Sequence, residues 1–245
     1  MGVFKKLKEK LFGSIIEVFK DTKKIVLLGV LSALGSILML IEIPYPPVPF
    51  LKFDVSDLPV LLTAQALGVG PAVLVAIIKS LVSLMVRGIR TPMGIGLITA
   101  AISSMALAFL YVTLKKRISG TKWYEKASLF FIVIFLYSAF MTLANFLFIT
   151  PIFLGGLWFK DVMDFTTLSV FLPNLTFTIL QPITLGETLI NLPTVAFSIP
   201  DFGYTATIIF IYMPFNALKG FMVLALYEAT SRRLLPELKK ILKLT

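Results

Sequence analysis

The chain has 245 residues, 58% of them hydrophobic and only 15% charged, with a mean hydropathy of +0.94. Soluble domains average roughly 45–50% apolar and about 25% charged residues, so an ordinary soluble domain is excluded. Long apolar runs without period-two alternation indicate an all-α integral membrane protein. Cysteine and histidine are both absent, which excludes disulfides, thiol nucleophiles, the usual zinc sites and histidine acid–base catalysis.

The formal charge of +10 is read as a topology signal rather than as a nucleic-acid footprint. The first residues lack the plain apolar core of a cleavable signal. Over residues 3–20, Phe4, Leu7, Leu11, Ile15 and Phe19 recur at helical spacing, and Phe12 and Ile16 widen the same face. Lys5, Lys6, Lys8 and Lys10 supply the opposite side. The pattern predicts an amphipathic helix over residues 1–23, lying on the cytoplasmic membrane surface or against a partner. A solvated basic leader is the simpler reading.

The first span is expected over residues 24–43. Gly29 and Ala33 lie four apart, as do Ser32 and Ser36, so each pair shares a face where a second helix can approach closely. Packing inside the bundle and docking of a separate subunit both account for such faces. Residues 44–49 contain four prolines and cannot be helical. The stretch 44–57, with Tyr45, Phe50, Phe53 and Asp54, reads either as a lid or as a rigid connector. Asp57 is a plausible helix N-cap with Pro59 in the first turn.

Two helices follow, over 57–67 and 71–86, both short for a span at 1.5 Å per residue. Lys79, inside the second, must pair or reach water, and Asp57 is a candidate partner. After the loop 87–94, which ends in Gly94, a long helix is expected over 95–114, closed by Lys115, Lys116 and Arg117. The next span covers 127–149, with Asn145 near its end and Pro151 closing it. Residues 153–204 are too long for an ordinary connector and are broken by prolines. They read as a folded, partly membrane-dipping extracytoplasmic loop.

The last span covers 205–229. Asn216 and Lys219, three residues apart, share one of its faces, and that face cannot look at lipid. A basic tail, 232–245, ends the chain. Six spans make the membrane domain 24–231 and place both termini on one side. That side holds the N-terminal lysines, the basic connector ending at Lys126 and the C-terminal cluster, so it is cytoplasmic. The proline-rich loop, the 87–94 loop, Asn145 and the long loop then face outside. They can close around one outward-opening cavity with Asn216 and Lys219, walled by Tyr45, Phe53 and Phe215. No catalytic constellation is present, and no G-x-x-x-x-G-K-[ST] motif for ATP occurs, so the chain is not expected to be an enzyme.

Five motifs in order carry a family resemblance: L-M-L-I-E-I-P-Y-P (38–46), F-L-K-F-D-V-S-D-L-P (50–59), G-P-A-V-L-V-A-I-I-K (70–79), A-N-F-L-F-I-T-P (144–151) and M-P-F-N-A-L-K-G (213–220). On six hydrophobic helices, over residues 25–235, they resemble the riboflavin-specific S components of energy-coupling factor (ECF) transporters. The resemblance implies a substrate-binding membrane subunit, without a cofactor of its own, that captures riboflavin, or flavin mononucleotide, from outside. Its implied partners are a transmembrane coupling subunit, two ATPase subunits and the lipid bilayer; no nucleic acid is implied. It further implies that Asn145, Asn216 and Lys219 contact the flavin, with the proline-rich loop and the region of Gly94 closing over it. The docking face on the first helix, Gly29, Ser32, Ala33 and Ser36, only approximates the Ala-x-x-x-Ala pattern of many S components, and the 153–204 loop exceeds the family's usual connection. An S component for another vitamin and a self-sufficient secondary transporter are the alternative readings, although no inverted repeat is seen.

Overall fold

A computed structural model describes residues 13–45, 48–89, 94–118, 122–153 and 208–242, together with four three-residue strands between 176 and 198. Among the described residues, five helices are long and apolar enough to cross a membrane. These are α1 (Thr22–Leu40), α3 (Val69–Arg87), α4 (Ile95–Arg117), α5 (Trp123–Ala144) and α6 (Met213–Ile241). Helix α5 runs through a π-helical turn (Asn145–Ile149) into Thr150–Phe153, and a second π turn (Ile208–Tyr212) leads into α6. The helix over 71–86, expected to be short, is in fact the 19-residue α3 and is long enough to cross unaided.

The sixth expected span is α2 (Asp57–Ala66), which is only ten residues and about 15 Å long. It cannot cross a hydrocarbon core of roughly 30 Å. Eight of its residues are buried, and it packs against α1, α3, α4 and α6. A short helix with few polar residues is stable when neighbours cover every side, and four of the long helices cover α2. Its N-cap is Ser56, not Asp57. Asp57 is the first helical residue, and its carboxylate is used elsewhere.

The prolines of residues 44–49 exclude helix, as expected, and the stretch read as a lid or a rigid connector contains a pair of β-strands. Strand β1 (Ile43–Tyr45) pairs antiparallel with β2 (Val48–Phe53), with a register shift between Pro44 and Tyr45. Proline is tolerated in such short edge strands because no ladder hydrogen bond is required of it. Within the expected long loop, β3 (Thr176–Thr178) pairs with β6 (Ala196–Ser198), and β4 (Ile183–Leu185) with β5 (Thr188–Ile190). The rest of that loop, and residues 1–12 of the expected amphipathic helix, lie outside the described residues. Residues 13–19 are helical.

The outer surfaces of the long helices are apolar: Val26, Val30 and Ile37 on α1, Phe131, Phe135 and Phe140 on α5, and Phe221 on α6 are all exposed. In a bilayer these residues meet acyl chains. The interior is tied by close approach. At Gly220 an added Cβ would lie 2.9 Å from Tyr137 Cδ1, so only glycine lets α6 come this near α5.

On α1 the small residues divide. Ser32 and Ser36 are buried and face the bundle; the Ser36 hydroxyl donates to the Ser32 carbonyl at 2.8 Å. Gly29 and Ala33 are exposed, and a Cβ at Gly29 would meet nothing within 4 Å. Of the four residues expected to form a docking face, Gly29 and Ala33 lie on the outer surface of α1, whereas the two serines face the protein's own interior.

Candidate functional site

The C-terminal ends of α1, α3 and α5, the N-terminal ends of α4 and α6 and the end of strand β2 meet at one end of the bundle. There they enclose a cavity of about 210 Å³. Its wall includes Asp54, Asn145, Phe215, Asn216 and Lys219, all anticipated as site residues. Asn145 opens the π turn of α5, and its side-chain amide donates to the Met141 carbonyl at 2.7 Å, which holds the carboxamide against the wall. Asn216 lies on α6, where its amide reaches Thr142 Oγ1 at 3.4 Å. The second π turn brings Tyr212 to the same wall. A π turn adds a residue to the helical repeat and re-aims those around it, a common device at functional sites.

Lys219 is 7% exposed, and its ammonium sits between two carboxylates, Asp54 Oδ2 at 3.1 Å and Asp57 Oδ2 at 3.5 Å. Asp57 also pairs with Lys79 at 2.7 Å, so the partnership expected for Lys79 is present. Lys79 donates as well to Ser56 Oγ at 2.6 Å. Ser104 and Ser103 of α4 hydrogen-bond to Asp57, the latter at 3.4 Å, and Ser103 meets the Tyr137 hydroxyl at 2.6 Å. Asp54 accepts from the Ser56 backbone N–H at 3.0 Å and from its hydroxyl. Two carboxylates thus balance two ammoniums, and hydroxyls fill the remaining positions. Charges buried in such a place persist only when paired and hydrogen-bonded in this way.

Tyr45 and Phe53, expected on the wall, do not line the cavity. Leu51 and Lys52 of β2 and Asp54 just beyond it line the cavity, while Phe53 packs to the side. Phe53 stacks 4.8 Å from Phe215, and Tyr45 closes the group at 5.5 Å from Phe53 and 5.3 Å from Phe215. The three rings pin the hairpin to the start of α6. Burial pushes the Tyr45 hydroxyl above its usual pKa, so it stays protonated at neutral pH. Gly94 is not on the wall either. It caps α4 in the left-handed region, φ 68°, and aims the next residues, Ile95, Gly96 and Leu97, into the cavity.

Sequence reasoning missed a second ionic group on the wall. Glu42, between α1 and β1, accepts from Lys52 of β2 at 2.7 Å and from Arg87 at the end of α3. Arg87 also donates to the Leu40 carbonyl. The available signal was Glu42 itself, an acid directly after an apolar span. Among the described residues, no group of three His, Cys, Asp or Glu could hold a metal ion.

A family model for the substrate-specific component of ECF transporters matches residues 23–230. The chain belongs to that family. Over 101 residues it is 27% identical to the riboflavin transporter FmnP of Bacillus subtilis (strain 168), an alignment spanning 41% of this chain and about half, 53%, of that relative. A solved structure described as the S component of a bacterial ECF transporter superposes with a TM-score of 0.56 at 17% identity, covering 88% of this chain and 96% of the other. At that identity the likeness concerns the fold. The expectation of a transporter's substrate-specific component is therefore met, and the hairpin, the short α2 and the cavity are features of this substrate-specific component.

Proposed function

We propose that this substrate-specific component binds riboflavin, or its phosphate monoester flavin mononucleotide, in the cavity and delivers it inward. The observation that carries the reading is the convergence of two carboxamides, Asn145 and Asn216, and the Lys219 ammonium on one apolar-walled cavity. The pyrimidine edge of a flavin presents carbonyls and an N–H, which carboxamides complement in both senses, and an ammonium donates to its carbonyls. Phe215 offers a flat apolar face beside these groups. The name of the Bacillus subtilis relative supports the same ligand class.

The cavity, at about 210 Å³, is smaller than the roughly 300–1,000 Å³ of small-molecule sites. Entry of a flavin requires the wall to move, and the hairpin β1–β2 is the element we assign as the lid. Both termini lie in the cytoplasm of a cell whose membrane holds the chain, and the cavity opens outside. Energy comes from a transmembrane coupling subunit and two ATPase subunits, docked along the α1 face that bears Gly29 and Ala33.

Flavin fluorescence quenching by the purified protein tests the site. Asn216→Ala and Lys219→Ala are each expected to weaken riboflavin binding about tenfold or more, from the ~1–3 kcal/mol of a hydrogen bond to a buried or charged group. Unchanged affinity in both variants would sink the assignment.

A further inference from the structure

The mouth of the cavity holds two cations and one carboxylate. Glu42 stands between Lys52 and Arg87, and all three line the cavity. Their side chains are 23%, 39% and 13% exposed, respectively, so the group is partly withdrawn from water. Three separate elements supply it: the link after α1, strand β2 and the end of α3. The inner group is electrically balanced, two lysines against two aspartates. The mouth is not, and carries a net charge of +1.

An ammonium and a guanidinium set around one point form the recognition chemistry of a phosphate monoester. Here that point is taken by the chain's own carboxylate. An incoming phosphate finds both cations engaged and a like charge between them. A neutral polyol chain meets no such repulsion and finds both donors and acceptors. Discrimination of this kind works through a repulsive element rather than through a better fit to the favoured ligand.

We infer that Glu42 is a specificity-determining residue: it fills an anion subsite formed by Arg87 and Lys52 at the cavity mouth, and so favours a neutral flavin over its phosphate monoester. The inference rests on the flavin reading of the cavity, with the ring's polar edge inside and its side chain toward the mouth. The Glu42→Gln substitution keeps the shape, removes the carboxylate charge and frees both cations.

The experiment measures riboflavin and flavin mononucleotide binding to the full chain by fluorescence quenching. The wild type is expected to prefer riboflavin. In Glu42→Gln the affinity ratio should move toward the monophosphate by about tenfold, since a close charge pair across a binding interface is worth upward of ~1.5 kcal/mol. Arg87→Gln, with a neutral mouth, should move the ratio the other way. A second readout needs no flavin: inorganic phosphate, against chloride at matched ionic strength, should raise the melting temperature of Glu42→Gln and not of the wild type. If the wild type binds neither flavin, the flavin reading fails, and the phosphate melt alone decides whether Glu42 covers an anion subsite. An unchanged ratio in both variants, or equal phosphate responses of Glu42→Gln and the wild type, overturns the inference.

Discussion

Asp57 divides the buried ionic network into two sides that share chemistry and differ in surroundings. On one side Lys79 is fully buried, bonded to Asp57 and Ser56, and shut in by α1, where a Cβ on Gly35 would lie 3.6 Å from its Cβ and Cδ. On the other side Lys219 shares the same carboxylate and reaches Asp54 at the foot of the hairpin, yet it lines the cavity. Both are buried lysines in apolar helices. The first spends its hydrogen bonds on protein. The second stands where a ligand can meet it. Depth and residue type do not separate an enclosed charge from one that lines a cavity; what closes around the ammonium does.

The largest expected effect breaks the closed side. Lys79→Met leaves the buried Asp57 short of a counter-charge and should cost about 3–5 kcal/mol of stability, read as a large fall in melting temperature in detergent. Adding Asp57→Asn to that variant should recover at least ~1 kcal/mol, because the stranded charge is then gone. A double variant no more stable than the single one would show that a stranded Asp57 charge is not what destabilises Lys79→Met. On the open side, Lys219→Ala strips Asp54 and Asp57 of a shared counter-charge, so flavin affinity and melting temperature should both fall, whereas Lys79→Met should lower the melting temperature with the smaller loss in affinity.

A smaller effect is expected one residue along α6. Gly220→Ala drives a methyl group into the Tyr137 ring, whose hydroxyl holds Ser103 beside Asp57. Overpacking of this kind costs about 1–3 kcal/mol, and the melting temperature should fall accordingly. Gly94→Ala forces a side chain into left-handed backbone at φ 68°, for about 1–2 kcal/mol. It should disturb the cavity wall of α4 as well, so flavin affinity should fall together with the melting temperature. The mildest is Gly29→Ala on the open face of α1, where nothing lies within 4 Å. Helix propensity alone then acts, and the melting temperature should rise slightly, for up to ~1 kcal/mol.

Part of the site is legible in the sequence. Lys79 demands a carboxylate, and the nearby Asp57 is the one it meets. Asn216 and Lys219, three apart on a helix that cannot show them to lipid, do share the cavity wall. The topology argument that gathers the hairpin, the 87–94 loop and Asn145 at one end agrees with the cavity's lining, where Asp54, Arg87, Gly88 and Asn145 meet. Other features are not legible. The second partner of Asp57, the Glu42 mouth group, and the stacking of Tyr45 and Phe53 on Phe215 away from the cavity all depend on contacts between elements distant in the chain. Their partners follow from which helix ends converge, and spacing along the chain does not encode that.

Sequence alone determined the solvent of this protein and the outline of its spans, because in a bilayer each crossing segment must satisfy its own backbone and be apolar throughout. It also marked the positions where that rule is broken, Asp57, Lys79, Asn216 and Lys219. Only the tertiary structure decided which way each face turns. An apolar helix looks the same toward lipid as toward its neighbours, so the pairs Gly29 with Ala33 and Ser32 with Ser36 are equivalent in spacing and opposite in fact. The depth of α2 was decided in the same way. Ten residues cannot span a membrane, but surrounded by four long helices they have no need to.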